Sequence, residues 1–264
     1  MRLIASDLDG TLFGIDHRPS ARTVTALNAA RDADIHIVAV TGRSWFRGLP
    51  LAVSTGARLH HFIGSNGGHR IDVERNEMVE RLTFAERFEE LLRDRLGPVL
   101  GPLGFGFELD HDIVWDDRFV ALSPTSIEGT ARAATTITAG ALGPIGKAFV
   151  AHPELEGMAL AAVVDELLEG LAHVTTSGAP FVELTPAGAD KGTALARLAA
   201  ELSIDASEVV AFGDNHNDLT MLRWAGRAVA MGNAVEAVKE TADEVTAHHA
   251  DDGVAEVVEA ILAG

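Results

Sequence analysis

Two aspartates near the start of the chain have the spacing of a paired-carboxylate site. Asp7 and Asp9 stand two residues apart, so both side chains face the same side of an extended segment. Gly10 allows the backbone to turn sharply away after them. Two close carboxylates repel each other, which favours a shared proton or a cation between them. With Asp214 added, the oxygen ligands suit Mg²⁺; the alternative is an Asp-Gly turn with solvated carboxylates.

Three further segments carry groups suited to binding an anion. Thr41-Gly42 offers a hydroxyl and backbone N–H groups at a helix start, a natural phosphate cradle, although many strand-to-helix turns contain Thr-Gly. Lys191 stands at the start of another helix, where the helix dipole does not stabilise a positive charge. It is either an ordinary surface lysine or one that holds phosphate charge. Asn217 and Asp218 are either a helix-capping cluster or part of the same site. The joint occurrence of these segments at strand and helix edges is difficult to obtain by chance.

Apolar runs immediately precede several of these polar segments. Residues 3–5, 35–40 and 209–212 predict strands buried on both faces, because polar residues do not alternate within them. Helical patterns separate the strands, including one at 191–202 that Asp190 is expected to cap. This order predicts a parallel sheet, and ligands bind beyond the carboxyl ends of such strands. We therefore expect residues far apart in the chain to meet at one edge of the sheet.

The middle of the chain has a different pattern, which predicts an α+β domain at residues 83–179 inserted into a core of residues 1–82 and 180–264. The expected elements of the insert are helices at 84–96, 126–141 and 157–170, a strand pair at 105–122, and strands at 147–151 and 172–177. We expect the chain to return to the core near 181–184. The predicted fold class is α/β, with a Rossmann-like, doubly wound parallel sheet and an inserted α+β domain.

Composition excludes several classes of protein. Lys and Arg total 21 against 39 Asp and Glu, a net charge of −18, so a nucleic-acid or anionic-membrane partner is not expected. The absence of cysteine excludes disulfides, thiol nucleophiles and cysteine-ligated metals. No apolar run approaches the roughly 18 residues of a spanning helix, and Asp7 comes too early for a signal peptide. We expect a cytoplasmic protein, either a monomer or a small homo-oligomer.

Four segments resemble the motifs of the haloacid dehalogenase-like hydrolases: Asp7-x-Asp9-Gly10-Thr11-Leu12, Thr41-Gly42-Arg43, Lys191-Gly192 and Gly213-Asp214-x-x-Asn217-Asp218. Asn66-Gly67, the segment 181–186 and Met221 resemble the Cof-type branch, whose cap domain is inserted after the third strand. The resemblance covers most of residues 1–82 and 180–264. The insert resembles that branch in placement and element order, and much less in sequence.

The resemblance implies an Mg²⁺-dependent phosphatase that acts on a small phosphomonoester. It makes Asp7 the nucleophile that forms an aspartyl-phosphate, and Asp9 the group that protonates the leaving oxygen and then activates water. The implied metal ligands are Asp7, Asp214 and the backbone carbonyl of Asp9. The implied contacts of the phosphoryl oxygens are Thr41, Gly42, Lys191 and Asn217. Asp218 would orient Lys191 or a metal-bound water, and Arg43 and Asn66 would contact the substrate.

The insert is also the more acidic part of the chain, since residues 83–178 carry six basic and 15 acidic residues. An acidic cap disfavours a leaving group with further phosphates, so we expect the monophosphate of a sugar or polyol. One alternative is a phosphomutase, which must bind a bisphosphate. Another is a non-catalytic ligand-binding sensor, which would be expected to lack Asp7, Asp9 or Asp214. Phosphate release separates the phosphatase from both.

Overall fold

A computed structural model describes residues 1–14, 16–123 and 142–264. These residues form two compact units, one of residues 1–80 and 190–264 and the other of residues 81–189. The helix predicted at 126–141 lies outside the described residues. Within the described ranges, no helix is both long enough and apolar enough to cross a membrane.

Helices and strands follow one another along the described residues. In chain order they are β1 (Leu3–Ser6), α1 (Ala21–Asp32), β2 (His36–Val40), α2 (Trp45–Val53), β3 (His61–Gly64), β4 (His69–Asp72), β5 (Glu77–Arg81), α3 (Phe88–Leu100), β6 (Gly104–Glu108), β7 (Ile113–Trp115), α4 (Asp117–Leu122), β8 (Lys147–Ala151), α5 (Gly157–Leu168), β9 (Ala172–Thr175), β10 (Phe181–Pro186), α6 (Lys191–Glu201), β11 (Val209–Gly213), α7 (Leu219–Trp224), β12 (Arg227–Ala230), α8 (Glu236–Thr241), β13 (Glu244–Val245) and α9 (Gly253–Ala263).

The first unit is organised around an eight-stranded sheet in the order β13-β12-β11-β1-β2-β3-β4-β5, as far as the described residues extend. The strands from β13 to β3 are parallel, and β4 runs antiparallel to β3. The chain moves from β1 outward to β2 and β3, and later returns to place β11 on the other side of β1. The topology therefore reverses between β1 and β11, where such sheets open a crevice for ligands. The predicted α/β fold class is confirmed.

Both faces of this sheet are buried, as the unbroken apolar runs predicted. Ile4 packs into a cluster that includes Leu27 of α1 and Val258 of α9. Its neighbours along β1 point to the opposite face, into a second cluster with residues of α6 and α7. Because helices pack on both faces of β1, the strand is held rigidly. The loop that follows β1 therefore has a defined position.

The described residues of the second unit form a five-stranded sheet in the order β7-β6-β8-β10-β9, with antiparallel pairing between its neighbouring strands. One face packs against apolar residues of α3 and α5. The other face carries an aromatic group of Trp115, Phe119, Phe149 and Phe181, in which the Trp115 and Phe119 rings stack at 4.5 Å between centroids. This unit therefore has its own core.

The main differences between the expected insert and the structure concern residues 181–184 and the strand pair. Residues 181–184 were expected to lead back into the core, but β10 pairs with β8 and β9 in the second sheet, and the first unit resumes at residue 190. The strand pair expected at 105–122 ends at residue 115. Asp116 then caps α4 by accepting a hydrogen bond from Phe119 N at 2.8 Å, so the last residues of the range are helical.

Candidate active site

Asp7 and Asp214 meet at the crevice between β1 and β11. The backbone N–H of Asp7 donates to Phe212 O at 3.0 Å, which joins the ends of the two strands. Gly10 has a φ of 82°, and a Cβ at this position would lie 2.5 Å from Asp214 Oδ2. Only glycine fits this turn, because it tolerates the left-handed conformation and leaves room for the carboxylate. At the Asp-Gly turn, two segments that are distant in the sequence are thus in close contact.

Lys191 is completely buried between two carboxylates. Its Nζ donates to Asp7 Oδ1 and to Asp218 Oδ1, both at 2.6 Å. Asp190 caps α6, as predicted, by accepting from Thr193 N at 2.9 Å. Burial lowers the pKa of Lys191, but the charges of Asp218 and Asp7 outweigh it and raise that pKa above its ordinary value. Lys191 is therefore a fixed cation within the site and not a surface lysine.

Asp218 holds this lysine in place and also shapes the turn before α7. It is fully buried, and its Oδ2 accepts the backbone N–H groups of Asp214 at 2.9 Å and of Asn215 at 3.0 Å. Gly213 makes room for it, since a Cβ there would lie 2.5 Å from the Asp218 side chain. Asp218 therefore stabilises a turn and also contacts Lys191.

Asp7, Asp214 and Asp218 form an acidic cluster in which one carboxylate oxygen of each lies within 4.8 Å of the others. Burial raises the pKa of Asp7 well above its usual range. Burial and the charge of Asp218 raise the pKa of Asp214 to about 7, although Thr11 Oγ1 donates to it at 3.0 Å. Lys191 supplies one positive charge to three carboxylates. The surplus negative charge and the hard oxygen donors fit a divalent cation such as Mg²⁺.

Asp9 has different surroundings from Asp7. Arg43 donates to both of its carboxylate oxygens, through Nε to Oδ2 and through Nη2 to Oδ1, at 2.6 Å each. His17 Nδ1 lies 3.3 Å from Asp9 Oδ1. The Asp9 side chain is 42% exposed, against 8% for that of Asp7. The paired aspartates therefore consist of one buried and one accessible carboxylate, and Arg43 contacts the accessible one.

Thr41 and Asn217 are both hydrogen-bonded to Asn66. Thr41 is buried after β2, and its Oγ1 accepts from Arg43 N at 3.1 Å across Gly42, which leaves the hydroxyl hydrogen for another acceptor. Asn217 Nδ2 donates to Asn66 Oδ1 at 3.1 Å. Asn66, expected to contact substrate, is itself buried against Asn217 in this structure.

Asn233 and His17 also belong to this region, and the sequence analysis did not identify either of them. Asn233 Nδ2 donates to the carbonyl of Gly10 at 2.7 Å, while its Oδ1 accepts from His249 N at 3.1 Å. Asn233 follows β12 just beyond its carboxyl end, so the same strand-end rule could have found it. No pattern in the sequence pointed to His17.

Comparison with known proteins agrees with this fold. A sequence model of the haloacid dehalogenase-like hydrolases matches residues 4–95 and 143–258. The chain belongs to the haloacid dehalogenase-like hydrolase family and is an enzyme of that class. The resemblance found in the four motifs is thereby confirmed.

Individual relatives extend over nearly the whole chain. One is the 5-amino-6-(5-phospho-D-ribitylamino)uracil phosphatase YcsE of Bacillus subtilis, 30% identical over 98% of this chain and 94% of the relative. Another is an HMP-PP phosphatase of Yersinia pseudotuberculosis, 28% identical over 90% of this chain and 86% of the relative. Among solved structures, a haloacid dehalogenase-like hydrolase from Bacteroides thetaiotaomicron is 29% identical with a TM-score of 0.76, covering 98% of this chain and 99% of that one.

Proposed function

We propose that this enzyme is an Mg²⁺-dependent phosphomonoester hydrolase that works through an aspartyl-phosphate on Asp7. The observation that carries the proposal is the buried ion pair of Lys191 with Asp7 and Asp218, directly beside Asp214. A buried carboxylate next to a fixed cation and a further acidic ligand is suited to phosphoryl transfer, which depends on positioning and charge neutralisation.

Asp7 and Asp214 would hold the metal through their carboxylates, together with the backbone carbonyl of Asp9. Asp218 would act beside the metal and not as its ligand, because it holds Lys191 through Oδ1 and two backbone N–H groups through Oδ2. When bound, Mg²⁺ supplies positive charge that offsets the negative charge of the phosphoryl group and the carboxylates.

Different residues of the chain would carry out the separate steps of the reaction. A carboxylate oxygen of Asp7 attacks phosphorus and forms an O–P bond as the bond to the leaving oxygen breaks. The carboxyl group of Asp9 gives its proton to that oxygen and later takes a proton from the water that attacks the aspartyl-phosphate, which releases Asp7 and inorganic phosphate. Lys191, the Thr41 hydroxyl, the Gly42 N–H and the Asn217 amide hold the phosphoryl oxygens.

We infer that the substrate is a small sugar or polyol monophosphate. The chain carries a net charge of −18, half of it within residues 83–178, and this charge disfavours leaving groups with additional phosphates. The named substrate of the B. subtilis relative carries its phosphate on a ribityl chain, which is a polyol. The name of the Yersinia relative gives a second compound to test beside polyol phosphates.

The test is phosphate release from a panel of sugar, polyol, nucleotide and cofactor phosphates, with Mg²⁺ or with chelator. We expect metal-dependent release from the wild type and a loss of at least about 10³-fold in Asp7→Asn, because that variant lacks the nucleophile. Release that survives in Asp7→Asn would contradict the aspartyl-phosphate mechanism. Tight binding of metal and phosphate without turnover would favour a sensor, and conversion of a bisphosphate without phosphate release would favour a mutase.

A further inference from the structure

The turn after β3 lies at the centre of the phosphate-binding segments. Ser65 and Asn66 both have left-handed backbone conformations, with φ of 50° and 52°. Both are buried, and neither takes part in the steps described under the proposed function. A left-handed conformation at two successive non-glycine residues is costly, so it persists only where the surroundings enforce it. Such strain is commonly found at functional sites.

Backbone contacts join this turn to the loop after β2. Ser65 N donates to Arg43 O at 2.8 Å, and Asn66 N donates to Thr41 O at 3.0 Å. The two bonds hold the carbonyls on either side of Gly42. The orientation of the Thr41 hydroxyl and of the Gly42 N–H therefore depends on the turn.

The same turn also contacts the start of α6. Gly67 has a φ of 101°, and a Cβ on it would collide with the backbone carbonyl of Asp190, the residue before Lys191. The glycine thus allows the two backbones to approach each other closely. The turn is in contact with the segment that carries the buried lysine.

The side chain of Asn66 makes the third connection. Its Oδ1 accepts from Asn217 Nδ2 at 3.1 Å in a buried environment. The Asn217 amide nitrogen has two hydrogens, so this bond engages one of them, fixes the plane of the amide and leaves the second for a phosphoryl oxygen. A side-chain amide without such a partner would rotate and lose part of its affinity for the oxygen.

We propose that Asn66 is a positioning residue for phosphoryl binding, whose amide carbonyl orients Asn217 while its left-handed backbone holds the loop that carries Thr41. The proposal rests on the proposed function, because that function makes Thr41 and Asn217 ligands of the phosphoryl group. This proposal gives Asn66 an indirect role, in place of the direct substrate contact that the resemblance implies.

Asn66→Gly separates the two parts of this role. Glycine adopts the left-handed conformation more readily than asparagine, so the turn is kept while the acceptor oxygen is lost. Asn76→Gly is the matched control, since Asn76 has the same φ of 52° in an exposed turn. If only backbone conformation matters, both variants behave like the wild type.

The functional measurement uses the Mg²⁺-loaded enzyme and inorganic phosphate as a product inhibitor. We expect Asn66→Gly to raise the inhibition constant of phosphate about tenfold and to raise KM more than it lowers kcat. In an Asn217→Ala background the same change should have an effect of less than about twofold, because the oriented amide is already absent. Equal effects in both backgrounds would overturn the proposal.

A second measurement does not depend on turnover. In ¹⁵N-labelled protein, the side-chain amide resonances of Asn217, assigned by their loss in Asn217→Ala, should shift in Asn66→Gly and stay in place in Asn76→Gly. If Asn66→Gly does not fold, Asn66→Asp keeps an acceptor oxygen, so the Asn217 amide protons should exchange with solvent as slowly as in the wild type, although the added charge shifts their resonances. Unchanged resonances in Asn66→Gly, or faster exchange in Asn66→Asp, would contradict the proposal. Failure of the proposed function would appear separately, as a wild type that neither releases nor binds phosphate.

Discussion

The Arg43 guanidinium donates to both oxygens of the Asp9 carboxylate, and this geometry assigns it a role the sequence did not suggest. An arginine fork holds a carboxylate in one plane, which a lysine ammonium does not do. Under the proposed function Asp9 exchanges protons with the leaving oxygen and with water. While Asp9 holds the proton, one of these two hydrogen bonds has to open, and Arg43 orients the carboxyl group through the other. Arg43 therefore acts on Asp9 in this structure, whatever it contacts when substrate is bound.

Replacement of Arg43 by lysine should distinguish positioning from substrate binding. The charge remains, but the two parallel hydrogen bonds to Asp9 are lost, so we expect kcat to fall about tenfold to a hundredfold with a much smaller change in KM. Steady-state kinetics on the best substrate of the panel measure both values. A rise in KM at constant kcat would instead indicate that Arg43 binds substrate.

At the scale of elements, the start of α6 depends on its close approach to α7. Gly192 N donates to Thr220 Oγ1 at 3.1 Å, and a Cβ on Gly192 would collide with the Thr220 carbonyl. Lys191 on α6 and Asp218 just before α7 meet because the helices are this close. The glycine in Lys191-Gly192 therefore serves the packing of two helices, and through it the buried ion pair.

Gly192→Ala should separate packing from helix propensity. Alanine favours helix over glycine by about 1 kcal/mol, so an unobstructed site would be stabilised. The collision with backbone atoms leads us to expect the opposite, a loss of about 1–3 kcal/mol in unfolding free energy, together with lower activity. Denaturant unfolding at neutral pH gives the sign. Stabilisation by Gly192→Ala would show that the helices can move apart freely.

At the scale of the whole molecule, three histidines lie together at the start of β2 and β3, the opposite end of these strands from the site. The rings of His36 and His60 are 4.7 Å apart, and those of His36 and His61 are 6.1 Å apart. Burial lowers the pKa of all three, that of His60 to about 4; Arg2, Arg31 and Arg70 add to the lowering, and Asp72 and Glu74 oppose it.

Stability should therefore depend on pH through this cluster. The unfolded chain binds protons at these histidines near pH 6.5, whereas the folded chain does not, so unfolding free energy falls as the pH drops from 6.5 towards 4. His60→Asn should reduce that slope in denaturant unfolding measured across this range. His248→Asn is the matched control, because both histidines accept a backbone N–H through Nδ1 and His248 is exposed. Identical slopes in the wild type and His60→Asn would contradict this assignment.

Much of the fold was predictable because its signals are local. Unbroken apolar runs such as residues 3–5 predict strands covered on both faces, and an Asp at a helix start predicts a cap, as at Asp190. The insert was harder, because a strand's partner is a long-range property. The segment at 181–186 suits either sheet, and only its pairing with β8 and β9 decides which one it joins.

The sequence by itself determined the family and the residue types of the candidate site. The reason is that short motifs, which local spacing alone makes recognisable, contain Asp7, Asp9, Thr41, Lys191 and Asp214. The tertiary structure alone decided their environments. Burial between two carboxylates makes Lys191 a fixed cation. The two hydrogen bonds from Arg43 give Asp9 an environment different from that of Asp7. Burial and charge pairing arise between segments far apart in the chain, so no local pattern encodes them.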